Sequence, residues 1–210
     1  MTLKPSKPFE PFERCARQEG YAYVAGVDEA GRGPLAGPVV AAAVVLPDDC
    51  AIDGLQDSKR LTARQRARVY AAILQCARDY GLGMVSHTEI DRLNILQATR
   101  EAMRRALAEL QQRPDLALID GNQKIGSGTA ERTIVRGDAR CASVAAASVV
   151  AKVSRDRLMA AYAVRFPVYG FEQHKGYPTR AHYAYLRTFG PCAIHRLSFR
   201  GVTMHRETGA

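Results

Sequence analysis

Short runs rich in Val and Ala, each bounded by Gly, Pro or Asp, constrain the fold of this chain more than any other feature. Runs of this length and composition predict buried β-strands. The first two runs follow each other with no room for a helix between them, which favours an antiparallel pair. The predicted strands cover residues 21–27, 38–46, 82–86, 116–120 and 133–136.

Amphipathic stretches with helical spacing separate the later strands. Thr62 is a predicted N-cap, and Pro114 ends the helix that begins at Asn94. The predicted helices cover residues 62–80, 94–112, 139–166 and 179–189. Strands that alternate with helices predict an α/β domain. Because the later strands need crossover connections, the sheet is predicted to be mixed.

The length of 210 residues fits one domain. We predict a flexible segment over residues 1–18 and a single domain over residues 19–210, with a C-terminal arm from Pro191. No apolar run reaches the roughly 18 residues of a membrane helix, and no export signal is evident. The five cysteines are far apart and form no CxxC pair, so no disulfide framework is expected. These features predict a monomeric, cytoplasmic protein with no membrane partner.

The net charge of +9 is concentrated in one part of the chain. Residues 1–120 hold 16 Lys and Arg against 16 Asp and Glu, whereas residues 121–210 hold 14 against 5. A basic half of this kind indicates a polyanionic partner such as nucleic acid.

Acidic residues at strand ends carry the most informative chemistry. Asp28 and Glu29 follow one apolar run, Asp120 ends another, and Asp138 precedes the longest predicted helix. Neighbouring residues in a strand point to opposite faces. Asp28 and Glu29 therefore converge only if the backbone turns there, or if one contributes its carbonyl oxygen. Oxygen ligands from separate elements suit Mg²⁺ or Mn²⁺, and two such ions can clamp the attacking and leaving oxygens of a phosphodiester.

Structural interpretations of the same residues remain open at this point. Acids at strand ends also form turns and cap helices, and Asp138 is placed to cap the long helix. The glycines at positions 31, 33 and 37 differ in spacing from a dinucleotide fingerprint and are interrupted by Pro34. The chain has no phosphate-loop, HExxH or GxSxG motif.

A series of motifs occurs in order along the chain and resembles the signature of the bacterial ribonuclease HII family. The motifs are Asp28-Glu-Ala-Gly-Arg-Gly33, Asp57-Ser-Lys59, Ile119-Asp-Gly121, Gly137-Asp-Ala139, Ala145-Ala-Ala-Ser-Val-Val-Ala-Lys152 and His174-Lys-Gly-Tyr-Pro-Thr179. The resemblance covers residues 23–200, and its first motif is the most specific. It implies a ribonuclease H-like fold, in which a mixed five-stranded sheet is flanked by helices and followed by a C-terminal helical extension.

The resemblance also implies an activity and its metal ligands. The activity is endonucleolytic hydrolysis of the RNA strand of RNA–DNA hybrids, including single ribonucleotides embedded in duplex DNA. Cleavage leaves a 5′-phosphate and a 3′-hydroxyl. Asp28, Glu29, Asp120 and Asp138 are implied to bind the Mn²⁺ or Mg²⁺ cofactor, with Asp28 and Asp120 on adjacent strands.

Substrate contacts are implied in three places. At Gly31, Arg32 and Gly33 the backbone approaches the ribose, whose 2′-hydroxyl distinguishes RNA from DNA. Tyr177 matches the family's junction-sensing tyrosine. The implied phosphate contacts are Lys59, Lys152 and Lys175. The structural alternatives are a simple tight turn, a surface tyrosine and solvated lysines.

Two other functions are compatible with these residues. A junction resolvase on the same fold would cut branched all-DNA substrates and would not need a ribose-reading turn. A non-catalytic nucleic-acid-binding protein would tolerate loss of the carboxylates, and its affinity would fall steeply with salt.

Overall fold

The computed structural model describes residues 9–48, 50–56, 58 and 61–204 and places a mixed five-stranded sheet at the centre of the chain. The strands lie in the spatial order β3-β2-β1-β4-β5. They are β1 (Val24–Ala30), β2 (Val39–Val45), β3 (Asp79–Val85), β4 (Leu116–Asp120) and β5 (Ala130–Ile134).

The strand directions bring two of the predicted ligands side by side. β2 is antiparallel to both β1 and β3, whereas β1, β4 and β5 are mutually parallel. Val27 of β1 aligns with Ile119 of β4. The next residues, Asp28 and Asp120, therefore lie at the same level of neighbouring strands. This confirms the predicted mixed sheet.

Helices cover both faces of the sheet, as predicted for an α/β fold. The helix α4 packs on β1, β2 and β3, whereas α5 packs across β1, β2 and β4 on the other face, and α2 packs against α5. In the part of the chain that the structure describes, three helices follow α5 and form the C-terminal extension. The helices are α1 (Phe12–Gln18), α2 (Ala63–Cys76), α3 (His87–Leu93), α4 (Ile95–Ala108), α5 (Ala142–Arg165), α6 (Phe171–His174), α7 (Arg180–Phe189) and α8 (Arg200–Thr203).

The start of α2 was predicted correctly, but its end was not. The Thr62 hydroxyl accepts from the backbone N–H of Gln65, and the Gln65 side chain accepts from the Thr62 N–H, which forms a capping box. The helix ends at Cys76 rather than near residue 80 because the chain joins β3 at Asp79. Asp79 is buried there and accepts from the Tyr23 hydroxyl at 2.9 Å.

The close packing of α5 on β1 depends on Gly26. A Cβ at this position would overlap the backbone of Ser143 and Val144. The absence of a side chain lets the two backbones approach. This contact places Ser148 and Lys152 of α5 beside the carboxyl end of β1.

Part of the N-terminal segment that is predicted to be flexible, residues 1–18, is described. Residues 1–8 lie outside the described residues, but residues 12–18 form α1. Glu13 in this helix accepts from the backbone N–H and the hydroxyl of Ser143, both at 2.7 Å. The helix α1 therefore caps the start of α5, a long-range contact that local composition does not reveal.

The cysteine prediction was also wrong for one pair. Cys50 and Cys76 form a disulfide with a Cα–Cα distance of 6.3 Å, because the fold brings the segment after β2 to the end of α2. Cys15, Cys141 and Cys192 are not disulfide-bonded. Within the described residues, no helix combines the length and hydropathy needed to cross a membrane.

Candidate active site

A cleft of about 230 Å³ opens where β1 and β4 end, and most of the predicted site residues line it. Its lining combines carboxylates, a glycine-containing turn, one lysine and one tyrosine. The lining residues are Asp28, Glu29, Ala30, Gly31, Arg32, Gly33, Ser58, Asp120, Ser148, Lys152 and Tyr177.

A larger cleft of about 530 Å³ lies at the opposite end of these strands. Its charged side chains are Arg17, Asp48 and Arg78, and Arg17 is paired with Asp48 at 2.5 Å. This larger cleft lacks a group of carboxylates. The smaller cleft is therefore the one with the chemistry that the sequence predicts.

Asp28 and Glu29 lie within β1 rather than at a turn, because the strand continues to Ala30 and the turn begins at Gly31. Their Cα–Cβ bonds therefore leave the strand on opposite faces. Both side chains nevertheless border the cleft, because the two residues stand at the end of the sheet, so no turn is needed to bring them to one site. Asp28 is only 4% exposed; it accepts from the Glu29 N–H at 2.7 Å and from the hydroxyl of Ser148. Glu29 lines both this cleft and an adjoining groove beside α4.

Burial and mutual repulsion both raise the pKa values of the carboxylates Asp28 and Asp120. Burial raises the pKa of Asp28 well above its usual range, and the nearby charges of Glu29 and Asp120 raise it further. The pKa of Asp120 is raised by burial and then by Asp138 and Glu29. A cation between these groups would offset the repulsion.

Asp138 lies in a short 3-10 turn, Gly137–Ala139, and is 6% exposed. The Gly137 N–H donates to Asp120 Oδ1 at 2.7 Å, which brings the turn against the end of β4. The helix α5 begins only at Ala142, with Cys141 as its N-cap. Asp138 is therefore not the cap of the long helix, and that alternative is excluded.

The donor set fits a hard divalent cation in its chemistry. Oxygen donors from β1, β4 and the 3-10 turn surround the end of the sheet, and such donors suit Mg²⁺ or Mn²⁺. No group of three or more Asp, Glu, His and Cys side chains within the described residues is already assembled in metal-coordinating geometry. The match thus rests on the type of donor and on the mutual repulsion that a cation would relieve.

The two glycines of the turn differ in whether the fold leaves room for a side chain at their position. Gly31 has a φ of +98°, and a Cβ there would overlap the side chain of Arg155. Gly33 has no such constraint, since a Cβ would meet only Tyr177, at 3.7 Å. Arg32 between them is exposed and pairs with Glu29 at 3.2 Å. The fold therefore requires glycine at position 31 but not at position 33.

Tyr177 borders the cleft with a side chain that is partly exposed. The Lys152 ammonium and the Arg155 guanidinium each lie 5.8 Å from the centre of its ring. Its backbone carbonyl accepts from the ring of His182 at 3.0 Å. Contacts to its ring and to its backbone carbonyl therefore both fix the position of Tyr177.

The three predicted lysines are placed differently. Lys152 lines the cleft and pairs with Asp156 at 2.6 Å; burial lowers the pKa of Lys152, and Asp156 partly offsets that. Lys175 is not among the residues that line the cleft, and its carbonyl accepts from Arg155 at 3.0 Å. Lys59 lies outside the described residues.

Sequence reasoning did not single out several residues that support the site. Ser148 donates to Asp28, and its hydroxyl lies 3.0 Å from that of Ser58. Ser148 is one helical turn before Lys152, so helical spacing was a usable signal. Arg155 and Arg196 are buried beneath the turn, and no local pattern distinguishes them from surface arginines.

Comparisons with known proteins identify the family and the fold. A family model described as Ribonuclease HII matches residues 25–202. Ribonuclease HII of Syntrophotalea carbinolica is 52% identical over 96% of this chain and 98% of its own length. Ribonuclease H2 from Pyrococcus horikoshii superposes with a TM-score of 0.75 at 28% identity, covering 88% of this chain and 97% of that one. Bst-RNase HIII, solved in complex with Mn²⁺, shares the fold with a TM-score of 0.66 at 18% identity over 97% of this chain and 75% of its own.

Proposed function

The chain belongs to the ribonuclease HII family, whose members are endonucleases that cut the RNA strand of RNA–DNA hybrids. We propose that the cleft at the ends of β1 and β4 is its catalytic site. The observation that carries this proposal is the shared lining of one cleft by Asp28, Glu29, Asp120, the glycine turn and Tyr177. We further propose cleavage at single ribonucleotides embedded in duplex DNA, leaving a 5′-phosphate and a 3′-hydroxyl. The monomeric state and cytoplasmic location stay predictions.

The carboxylates of Asp28, Glu29, Asp120 and Asp138 are proposed to hold Mn²⁺ or Mg²⁺. When bound, such ions supply Lewis-acid stabilisation of the phosphate and activate the attacking water. The chain orients the ligands through hydrogen bonds: the Ser148 hydroxyl and the Glu29 amide fix Asp28, and the Gly137 amide fixes Asp120. Such supporting contacts hold metal ligands in place.

Recognition of the substrate is proposed to divide between ribose and phosphate. The turn at residues 31–33 approaches the 2′-hydroxyl, and Tyr177 packs against the nucleotide at the RNA–DNA junction. Lys152, together with Lys59 and Lys175, is proposed to contact backbone phosphates, which position the duplex without reading its sequence.

The difference between the two turn glycines gives a test of ribose recognition. We expect Gly33→Ala to leave the melting temperature unchanged, because a Cβ there meets no close neighbour. Its cleavage of a ribonucleotide-containing duplex should fall about tenfold or more, as one displaced recognition hydrogen bond predicts. Gly31→Ala should lower both stability and cleavage, because its Cβ overlaps Arg155. Thermal melts and kcat/KM distinguish the two; full activity of Gly33→Ala would refute close approach of the ribose.

The proposed activity is tested with a labelled DNA duplex that contains one ribonucleotide. We expect cutting on the 5′ side of that ribonucleotide with Mg²⁺ or Mn²⁺, and no cutting with EDTA or with an all-DNA duplex. Cutting only a long RNA–DNA hybrid would change the substrate preference within the family. Cutting a branched all-DNA substrate instead would favour a junction resolvase, and salt-sensitive binding without cutting would favour a binding protein.

A further inference from the structure

Two arginines are completely buried next to the glycine turn. Arg155 and Arg196 each have 0% of their surface exposed, which is rare for a group that carries a charge. Burial lowers the pKa of Arg196 to about 9 and that of Arg155 to about 10. Both remain cationic at neutral pH.

Each guanidinium is satisfied by backbone carbonyls. Arg196 donates to the carbonyls of Gly31 at 2.6 Å, Arg32 at 3.0 Å and Gly37 at 2.9 Å. The first two of these belong to the turn proposed to meet the ribose.

Arg155 supports the neighbouring backbone instead. It donates to Ala36 at 3.2 Å, Pro38 at 3.0 Å and Lys175 at 3.0 Å. Of the two arginines, Arg196 is therefore the one that holds the carbonyls of the turn itself.

The direction of the carbonyls fixes the direction of the following N–H groups. In a trans peptide the C=O and the N–H point to opposite sides, and no cis peptide occurs in the described residues. Because the carbonyls of Gly31 and Arg32 point inward to Arg196, the N–H groups of Arg32 and Gly33 point outward. Among the described residues neither of these N–H groups has a protein acceptor. Two successive outward N–H groups form a binding site for an oxygen.

We propose that Arg196 is a positioning residue for ribose recognition, which presents the Arg32 and Gly33 N–H groups to the 2′-hydroxyl and the adjoining phosphate oxygen. This inference rests on the proposed function of the cleft. A guanidinium suits the task because its planar fork reaches three carbonyls at once, whereas the single ammonium of lysine does not. Its charge also polarises the two peptide groups and strengthens their N–H donors.

The test compares affinities for a duplex with one ribonucleotide and for the same duplex in all-DNA form. Ca²⁺ replaces the catalytic metal, and gel analysis verifies that the duplex stays intact. We expect Arg196→Lys to reduce the preference for the ribonucleotide about tenfold, as loss of aligned hydrogen bonds predicts. Its affinity for the all-DNA duplex should stay near that of the wild type, because the phosphate contacts remain. Guanidinium ion at millimolar concentration should partly restore the preference of Arg196→Ala.

Ile73→Ala is the control for a loss of stability alone, since Ile73 is buried between α2 and α5 and away from the turn. It should lower the melting temperature and keep the preference. An Arg196→Lys protein that keeps the preference would overturn the proposal. So would equal weakening for both duplexes, since that is the behaviour of a purely structural residue. A wild type with no preference would instead overturn the proposed ribose recognition.

A second measurement on the wild type covers the case in which the Arg196 variants do not fold. The backbone amide resonances of Arg32 and Gly33 are followed by NMR while each duplex is added with Ca²⁺. We expect both resonances to shift downfield with the ribonucleotide duplex and much less with the all-DNA duplex. Equal responses to the two duplexes would overturn the proposal.

Discussion

Asp28→Asn is expected to abolish cleavage while making the metal-free protein more stable. Cleavage should fall by more than about 100-fold, since even the loss of a residue that only supports a metal ligand costs 10–100-fold. The gain in stability follows from the raised pKa of Asp28, because burial and the charges of Glu29 and Asp120 oppose its ionised form. A neutral amide of the same shape removes that repulsion. Activity and stability should therefore change in opposite directions.

Three measurements check this expectation: kcat with Mn²⁺, the melting temperature in EDTA, and the rise in melting temperature on adding Mn²⁺. The rise should be smaller for Asp28→Asn than for the wild type, because a ligand has been removed. Asp53→Asn is the matched control. Asp53 is exposed and pairs with Arg68, so its substitution removes the same charge at a place away from the cleft. It should change none of the three. Near-normal turnover of Asp28→Asn would show that Asp28 is not a catalytic ligand.

The position of the carboxylates was predictable because it depends on local pattern and on sheet direction. An apolar run that ends in an acid indicates a strand that places the acid at the end of the sheet. Asp28 and Asp120 do lie at the same level of neighbouring strands. The arrangement of Asp28 and Glu29 was not predictable in detail. The strand continues past both residues because they pair with Ala42 and Ala41 of β2, a contact that the local sequence does not encode.

The groups beneath the site were missed for a different physical reason. Patterns of apolar residues identify a core, but they treat arginine and histidine as surface residues. Arg196 is buried because three carbonyls of the segment 31–37 accept its hydrogen bonds, and those carbonyls lie about 160 residues earlier in the chain. The α1 cap on α5 and the Cys50–Cys76 disulfide likewise depend on contacts that form only in the folded chain.

Two buried histidines, His182 and His195, form a hydrogen-bond relay from the C-terminal segment to Tyr177. This relay predicts that acid lowers the stability of the protein. The Cys192 N–H lies 2.9 Å from His195 Nδ1, His195 Nε2 lies 3.0 Å from His182 Nε2, and His182 Nδ1 lies 3.0 Å from the Tyr177 carbonyl. The amide can only donate and the carbonyl can only accept, so the tautomers follow: His195 donates to His182, which donates to Tyr177. In this arrangement His182 must be neutral, because a proton added at its Nε2 would face the Nε2–H of His195. His195 Nδ1 also lies 3.3 Å from the Cys192 carbonyl oxygen.

Burial, together with the neighbouring histidines, lowers the pKa of His182 and of His195 to about 4; one of these neighbours is His174, which stacks on His182. Their pKa in the unfolded chain is about 6.5. The unfolded state therefore binds more protons between these values, and stability falls as the pH falls from about 6.5 towards 4. The sign is opposite to that of Asp28, whose raised pKa favours the folded state in acid. Each histidine should remove about 2 kcal/mol of stability between pH 7 and pH 5.

The comparison of variants isolates this contribution from that of the carboxylates. Urea unfolding at pH 5, 6 and 7 should show that His195→Gln loses about 2 kcal/mol less than the wild type between pH 7 and pH 5, because one titrating ring is gone. Ile73→Val, which alters packing without a titrating group, should keep the wild-type pH dependence. Identical pH dependence in His195→Gln and the wild type would mean that the ring of His195 is not held neutral by its surroundings.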